Sequence, residues 1–467
     1  MKILLTGATG LIGKELGKIL VSRGHQIISV SRNSKKAKNQ LPFPTQILEW
    51  SGMGEFPKMD LSSIDGVIHL MGESIAESRW SEQVKKQLIN SRVQSTRSLK
   101  KAIDQNAINL KFWIQGSAIG YYGESKKNNI FDESSPLGRG FLSELCQEWE
   151  NALLVTEVPS LYRKVTLRTG VVISHQGGAL PKMMDPLMAG IGGVIGSGEQ
   201  RMSVIHLIDL VGFIVHAVEN EQISGPYNLV SEHPVSQKDF IHCLCSKLSI
   251  PAGLSVPEFA IKLAMGKMGS LLLQDQAVVS NRLSESGFEF KYPLVDQILE
   301  EVIHWYENPF KSTGKTFPTH LFYSEQFVPF SVEKAFTFFS EAKNLEKITP
   351  PWLHFNILAV STPQIQKNTK IRYQLKLHGI PLKWVTDIAE WEPNQYFVDN
   401  QLSGPYHLWY HQHSFEAVSG GTLMKDWVRF QLPLGKAGMV GLPKVYADVR
   451  AIFTYRTSII EELISHL

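Results

Sequence analysis

The chain has 467 residues, with 47 Lys and Arg against 44 Asp and Glu, a formal net charge of +3. That length accommodates two or three domains with sizeable cores, and the near-neutral balance gives no electrostatic footprint for nucleic acid or an anionic membrane. With 43% hydrophobic and 19% charged residues the chain is globular. Its three cysteines (Cys146, Cys243, Cys245) build no disulfide framework, and it holds no apolar run of about 18 residues, so a secreted or membrane-spanning class is excluded and a cytoplasmic location expected.

Lys2-Ile-Leu-Leu-Thr6 is a continuous apolar run, the pattern of a strand buried on both faces. Glycines at 7, 10 and 13 follow, and Leu11–Gly24 reads as an amphipathic helix closed by a C-cap glycine. Further apolar strands are predicted at Gln26–Ser31, Gly66–Met71, Leu110–Gln115 and Val165–Val172, with helices over Ser81–Gln105 and Phe141–Glu157. Strand alternating with helix predicts an α/β fold, a doubly wound parallel sheet. Beyond Val172 the pattern loosens into a small substrate lobe, mainly 173–300. Gly177-Gly178 and Gly190–Gly198 read as loops, Val204–Asn220 as strand then helix, and Gln237–Leu248 and Pro257–Gly287 as helical, with a last helix ending near Tyr306.

Residues 308–316 carry the Pro, Gly and Ser of a linker. The expected domains are therefore 1–307 and 317–467. Phe317–Leu467 holds 24 of the chain's aromatics but only 7 of its 36 glycines, which marks a change of architecture. A strand at Thr319–Val328 and a helix from Ser331 to about Leu345 lead into six strand-like runs: Phe355–Val360, Lys370–His378, Leu382–Trp391, Gln395–Gln401, Tyr406–Ala417 and Thr422–Leu432. A helix over Lys444–Leu467 closes the domain. This α+β layout predicts a curved antiparallel sheet gripping a helix.

Gly7-Ala-Thr9-Gly10-Leu11-Ile12-Gly13 is a G-x-x-G-x-x-G directly after a strand and opening a helix. Such glycines allow a tight turn and close backbone approach to a pyrophosphate, and the helix N-terminus offers free N–H groups and partial positive charge. The bland alternative is a plain βα turn. The end of the second strand selects the dinucleotide. NAD-binding folds place an acid there for the ribose 2′-OH, whereas this chain reads Ser31-Arg32-Asn33. Arg32 can pair with a 2′-phosphate, which predicts NADP(H), against a solvated Arg in a basic loop.

With Thr6–Gly13, Ser31-Arg32, His69-Leu-Met-Gly-Glu73, Arg79-Trp80, Asn90-Ser-Arg-Val93, Ser117-Ala-Ile-Gly-Tyr-Tyr-Gly123, Phe141–Glu150, Arg168-Thr-Gly-Val-Val, Gly177-Gly178-Ala-Leu, Gly192–Gly198 and Ile205-His-Leu-Ile-Asp209, the first 300 residues resemble an atypical, epimerase-like branch of the extended short-chain dehydrogenase/reductases. More narrowly they resemble the NAD-dependent epimerase/dehydratase family with a DUF1731-type segment at its end. The resemblance implies an NADP-binding Rossmann domain, with Leu70, Met71 and Gly72 beside the adenosine and ribose and Gln87 and Arg92 near the cofactor.

Relatives of this kind use Ser, Tyr and Lys, the Lys lowering the Tyr pKa. Ser117 matches the Ser. At the Tyr-x-x-x-Lys spacing on the following helix, which places both side chains on one face, this chain reads Cys146-Gln-Glu-Trp-Glu150. Cys146 is then either a thiol acid/base or a buried helix residue, and Glu150 either a ribose contact or the partner of a surface Lys. Tyr122-Gly-Glu-Ser-Lys126 spells the motif too, but in a Gly-containing loop only five residues past Ser117, where it reads as chance. Tyr122 itself can still line the site. His206 is a structural or functional histidine, and Arg168 positions substrate or braces a strand end.

Phe317–Leu467 is similar in layout to the helix-grip START, polyketide-cyclase and Bet v 1-like (SRPBCC) proteins. That implies a cavity for an apolar ligand between sheet and closing helix, against an ordinary aromatic core. In a strand, His407, Trp409, His411, His413 and Phe415 share one face. No acid or Cys on that face completes a metal shell, so no metal is expected, and Asp426 and Arg429 on the next strand are the predicted partners. The readings converge on an NADP-dependent oxidoreductase or nucleotide-sugar-epimerase-like enzyme for an unknown small molecule, with a catalytically silent NADP(H)-binding sensor or scaffold as the alternative. Small molecules are the expected partners, with nucleic acid and membrane excluded, and helix pairing makes a homodimer a candidate assembly.

Overall fold

The computed structural model describes residues 1–75, 80–106, 110–125, 129–154, 162–265, 269, 271–307, 309 and 318–466. The chain divides into two compact units. Met1–Ala37 with Thr45–Ile303 forms the first, and Lys38–Pro44 with His304–Leu467 the second. Apart from Pro309, the expected linker at 308–316 lies outside the described residues.

The first unit is built on seven parallel strands: β1 (Lys2–Thr6), β2 (Gln26–Ser31), β3 (Gln46–Glu49), β4 (Gly66–His69), β5 (Phe112–Ala118), β6 (Arg163–Thr169) and β7 (Gly225–Leu229), in the order β7-β6-β5-β4-β1-β2-β3. The apolar runs predict the central strands because a sheet covered on both faces buries every side chain; Ile3, Leu4 and Leu5 are fully buried. Helices α1 (Leu11–Ser22), α2 (Glu82–Gln105), α3 (Phe141–Leu154) and α4 (Leu207–Glu219) connect them. The Ser81 hydroxyl caps α2 by accepting from the Val84 N–H. Leu4, Val67, Leu99, Trp113 and Leu153 pack into one cluster beneath the sheet. The strand order reverses between β1 and β4. At such a switch point the carboxyl ends of neighbouring strands diverge and leave a crevice.

Three sequence expectations are corrected. The strand predicted at Val165–Val172 breaks at Gly170, where a Cβ would stand 2.6 Å from the Ser203 carbonyl oxygen; Val171–Ile173 instead pairs with Val204–His206 in a separate two-stranded sheet. Edge strands β3 and β7 went unpredicted because Gln46–Glu49 is half exposed and polar at both ends, and Gly225-Pro226 masks the start of β7. Pro257–Gly287 is not one helix. Among its described residues, only Glu258–Met265 and Arg282–Glu285 are α-helical, and Ala277 and Val278 lie buried in extended chain bridged to Phe131.

The second unit holds an all-antiparallel sheet of β8 (His320–Val328), β9 (Asn356–Val360), β10 (Lys370–Leu377), β11 (Ile380–Glu392), β12 (Tyr396–Ser403), β13 (Leu408–Val418) and β14 (Gly421–Gln431). Its order is β8-β14-β13-β12-β11-β10-β9, so the first strand pairs with the last. The helix predicted from Ser331 breaks at Ser340-Glu341 into α5 (Val332–Phe339) and α6 (Ala342–Ile348), and α7 (Leu442–Ser465) closes the unit. α7 turns Val449, Phe453, Arg456, Ile460 and Ile464 inward at three- and four-residue spacing. Ile460 and Ile464 pack with Phe336, Phe339, Phe397 and Phe415. Truncating the fully buried Ile460 to Ala should cost about 2–5 kcal/mol. Hydrogen exchange should then accelerate in β12–β14 and α7, with the parallel sheet of the first unit unaffected.

Candidate functional site

The turn after β1 is shaped by its glycines. Gly7 has φ +73°, and a Cβ there would stand 2.9 Å from the Leu70 backbone; a Cβ on Gly13 would come within 2.3 Å of the Gly7 oxygen. The Gly10 N–H donates to Gly7 O at 3.0 Å, and α1 begins at Leu11 with no acid in its first turn. A positive helix end therefore stands uncompensated beside close-packed backbone, a cradle for an anion. Thr9, Leu11 and Ile12 are half-buried around it. Thr6 locks the floor: its hydroxyl meets His69 Nδ1 at 2.8 Å and accepts from the Met71 N–H at 3.3 Å. Burial pushes His69 down to about 3, so this imidazole stays neutral.

Leu70 and Met71 are half-buried and Gly72 exposed at the end of β4. A Cβ on Gly72 would press against Arg92, whose Cζ would lie 3.0 Å away. Arg92 donates to the Leu88 and Glu73 carbonyls and rests 5.1 Å over the Trp149 ring. Gln87 is exposed on the same helix. At the end of β2, Ser31 is half-buried, and Arg32 reaches across to Glu73 (2.7 Å), with both side chains largely exposed. The sequence reading left Glu73 without a role, although it closes the quoted His69–Glu73 motif.

Ser117, Tyr122 and Cys146 come together at the end of β5 and the facing side of α3. The Ser117 hydroxyl donates to Glu150 Oε1 at 2.6 Å. Glu150 is gripped from the other side by Arg168 on β6, through Nε (3.0 Å) and Nη2 (2.9 Å). Arg168 Nη1 donates to the Tyr122 hydroxyl at 2.9 Å, and that hydroxyl donates to Asn228 Oδ1 at 2.7 Å. The Asn228 amide is fixed in turn by the Val279 carbonyl. Arg168 also lies 3.5 Å from the Tyr121 ring centre. All five linked side chains are buried. Burial works against the Arg168 charge, but the bonds to Glu150 outweigh it and hold the guanidinium above its ordinary value. Burial pushes Tyr122 up to about 12 despite Arg168. Burial, and then the charge of Glu150, push the Cys146 thiol up to about 11, with its Sγ aimed at the Ala118 carbonyl.

This geometry bears on three expectations. Glu150 pairs with the buried Arg168 rather than with a surface Lys. Cys146 takes its buried reading, since a protonated thiol in apolar surroundings is a poor acid/base near neutrality. Tyr122 closes a short 3₁₀ turn, Ile119–Tyr122, with its hydroxyl fully engaged and only 1% of the residue exposed; Lys126 of the matching motif lies outside the described residues. Sequence reasoning missed Asn228, whose only signal was a polar residue inside the unpredicted strand β7. His206 caps α4 and meets Glu301 at 2.9 Å, while Asp209 accepts from the Lys291 and Tyr292 N–H groups. Both therefore fasten the segment at 290–304 to the Rossmann core.

In the second unit His407 is exposed, whereas His411, His413 and Phe415 face inward from β13. Asp426 bonds both imidazoles, as expected, while Arg429 turns away to the Trp305 carbonyl. The acid that the sequence reading did not find is Asp399, carried by β12 directly opposite His411.

A parallel sheet with a reversing strand order and a glycine cradle at its switch point defines a Rossmann-type dinucleotide-binding domain. The NAD dependent epimerase/dehydratase family matches residues 3–229, and a domain of unknown function, DUF1731, matches residues 256–302. The epimerase family protein YfhF of Bacillus subtilis is 34% identical over 303 residues, which is 65% of this chain and 98% of that protein. The human epimerase family protein SDR39U1 is 33% identical over 307 residues, 65% of this chain and all of that protein. A crystal structure of the human SDR39U1 isoform 2 with NADPH superposes with a TM-score of 0.58 at 30% identity, over 65% of this chain and 99% of that one. The nucleoside-diphosphate sugar epimerase of Corynebacterium glutamicum reaches 0.51 at 28% identity, over 65% of this chain and 58% of that one. The chain belongs to the NAD dependent epimerase/dehydratase family through its first unit, and the His304–Leu467 part of the second unit lies beyond both family matches.

Two measurements probe the buried network. Glu150 and Arg168 side chains are each 6% exposed, and removing one partner of a buried pair costs about 3–5 kcal/mol. Glu150→Met alone should lower the stability of the first unit by that amount in denaturant unfolding, and Glu150→Met with Arg168→Met should cost much less. Native Cys146 should resist iodoacetamide at pH 8, with labelling that rises about tenfold per pH unit toward 11. Labelling at pH 7 at the rate of a free thiol would contradict this.

Proposed function

We propose that the first unit binds NADP(H) and carries out hydride-transfer chemistry on a small molecule without a Tyr-x-x-x-Lys pair on α3, where the chain reads Cys146-Gln-Glu-Trp-Glu150. One observation carries the cofactor reading: Gly7 and Gly13 have no space for a side chain beside an uncompensated helix N-terminus. The residues present fit a pyrophosphate there, with Thr9, Gly10, Leu11 and Ile12 around it and Leu70, Met71 and Gly72 along the next strand end. Arg32 supplies the cation for a 2′-phosphate, and no acid at the end of β2 competes for a ribose hydroxyl. When bound, the cofactor supplies or accepts a hydride. The NADPH in the human relative's structure supports this cofactor reading, and the Corynebacterium glutamicum relative's name as a nucleoside-diphosphate sugar epimerase fits a small-molecule substrate.

Ser117 is the residue we assign to the reacting oxygen. Its proton is directed to Glu150, so its oxygen is left as an acceptor toward a substrate hydroxyl. Protons would then pass between substrate, Ser117 and Glu150, while Arg168 holds the carboxylate charge in place. A second reading, cofactor binding without turnover, is favoured by the full engagement of Tyr122 and Glu150 and by the raised Cys146 thiol.

For the second unit we propose a helix-grip ligand-binding domain. A cavity of about 70 Å³ lies among Phe338, Phe339, Ile371, Ile388 and Phe397, under α6 and α7. It is smaller than the roughly 300–1,000 Å³ of drug-sized ligand sites, so the occupant in this form is a small group.

Arg32→Ala should weaken NADPH roughly 10–100-fold, the loss of one charge-assisted pair, with NADH changed less than about 2-fold; calorimetric titration reads both, and equal losses would refute the 2′-phosphate role. Glu73→Gln, which frees Arg32, should tighten NADPH selectively. In a screen of carbonyl compounds, NADPH oxidation that is lost in Ser117→Ala supports turnover. Tight NADPH binding with no Ser117-dependent turnover selects the silent reading.

A further inference from the structure

Two strands of the second sheet bring a set of metal-type donors onto the cavity wall. The β12–β13 register places Asp399 opposite His411, and the β13–β14 register places His413 opposite Asp426. Asp399, His411 and His413 all line the cavity of about 70 Å³. One donor atom from each of these three residues lies within 4.8 Å of the other two.

The proton arrangement follows from Asp426, which can only accept. Its Oδ1 lies 3.0 Å from His411 Nε2, which therefore carries a hydrogen, and 2.8 Å from His413 Nδ1. Arg456 Nη2 approaches His413 Nδ1 at 3.1 Å and the same Asp426 oxygen at 3.4 Å. Arg456 balances Asp426, and His413 holds its proton either on Nε2 toward Asp399 or on Nδ1 toward Asp426. His411 Nδ1 is a lone pair, and His413 Nε2 becomes one in the Nδ1–H tautomer. His413 Nε2 nevertheless faces Asp399 Oδ2 at 3.2 Å. In that second tautomer the two face each other as acceptors, and a cation between them would satisfy both. At ligand lengths of roughly 2.0–2.2 Å, two neighbouring donors on one tetrahedral zinc ion stand roughly 3.3–3.6 Å apart. Asp426 sits where the outer carboxylate of a carboxylate–histidine–metal triad sits, and it orients both rings. The charge count agrees. Asp399 and Asp426 carry two negative charges and Arg456 one positive, which leaves one uncompensated negative charge at a mostly buried site.

We propose that Asp399, His411 and His413 form a three-ligand site for one zinc-type divalent ion, whose remaining positions open to the cavity and take water or a small oxygen-donor molecule. The His₂Asp donor set suits zinc and its neighbours among the divalent transition metals. Asp399, half-buried, swings toward the two imidazoles to complete the set.

The test uses the full chain, stripped with a chelator and dialysed against limiting Zn²⁺ or Co²⁺. The expected result is one ion per chain by elemental analysis, visible Co²⁺ ligand-field bands, and a melting temperature raised by Zn²⁺. Asp399→Asn and His413→Gln should each weaken binding at least about 100-fold, Asp426→Asn about 10–100-fold, and the exposed His407→Gln not at all. The rival is a proton shared between His413 and Asp399, an ion-pair network without metal. Uptake below about a tenth of an ion per wild-type chain, or uptake unchanged in Asp399→Asn and His413→Gln, overturns the proposal in favour of that network or of adventitious surface binding. Should a variant fail to fold, the wild-type cobalt spectrum and the zinc-dependent melting shift still decide.

Discussion

Glu150 and Arg168 are two charges shut inside the first unit, and the surroundings of the switch point are arranged around keeping them paired. Their side chains are each 6% exposed, a position in which either charge alone would be intolerable. The pair ties α3 to β6, and through Ser117 and Tyr122 it reaches the ends of β5 and β7. A Tyr-x-x-x-Lys pair at this spacing would bring a positive charge to this face of the helix. Here it brings a negative one that is already neutralised from behind. The helix face beside Ser117 therefore carries a compensated ion pair rather than a free cation.

The Rossmann half was legible because its signals are local. Buried parallel strands write themselves as apolar runs, and a glycine loop between strand and helix has few other uses. Ser117, Cys146 and Glu150 were placed on the right elements by the resemblance to Ser–Tyr–Lys enzymes and the spacing of that motif. Their partners were not legible, since Arg168 and Asn228 reach them from strands that are distant in sequence, and only the β5–β6–β7 order makes them neighbours. Glu73 was hidden for a similar reason: its partner Arg32 sits at the end of a different strand. The long helix read into Pro257–Gly287 failed because apolar residues there serve a bridge to Phe131 rather than a helical face.

The second unit shows the same limit more sharply. The strands were predictable from aromatic alternation, and the inward set His411, His413 and Phe415 from a two-residue period. Whether an acid joined the histidines depended on register between β12 and β13, and no single strand carries that information. One residue of slip would turn Asp399 to the other face of the sheet.

The pairing of β8 with β14 also governs when this second sheet can exist. Each residue of β8 waits for a partner made far later in the chain, His320 for Phe430 and Val328 for Thr422. Such contacts are slow to close. At synthesis rates of about 5–20 residues per second, β8 is made roughly 5–20 s before β14 leaves the ribosome. During that interval an aromatic strand has no sheet to join, and the burden of keeping the nascent chain soluble falls on whatever can cover it.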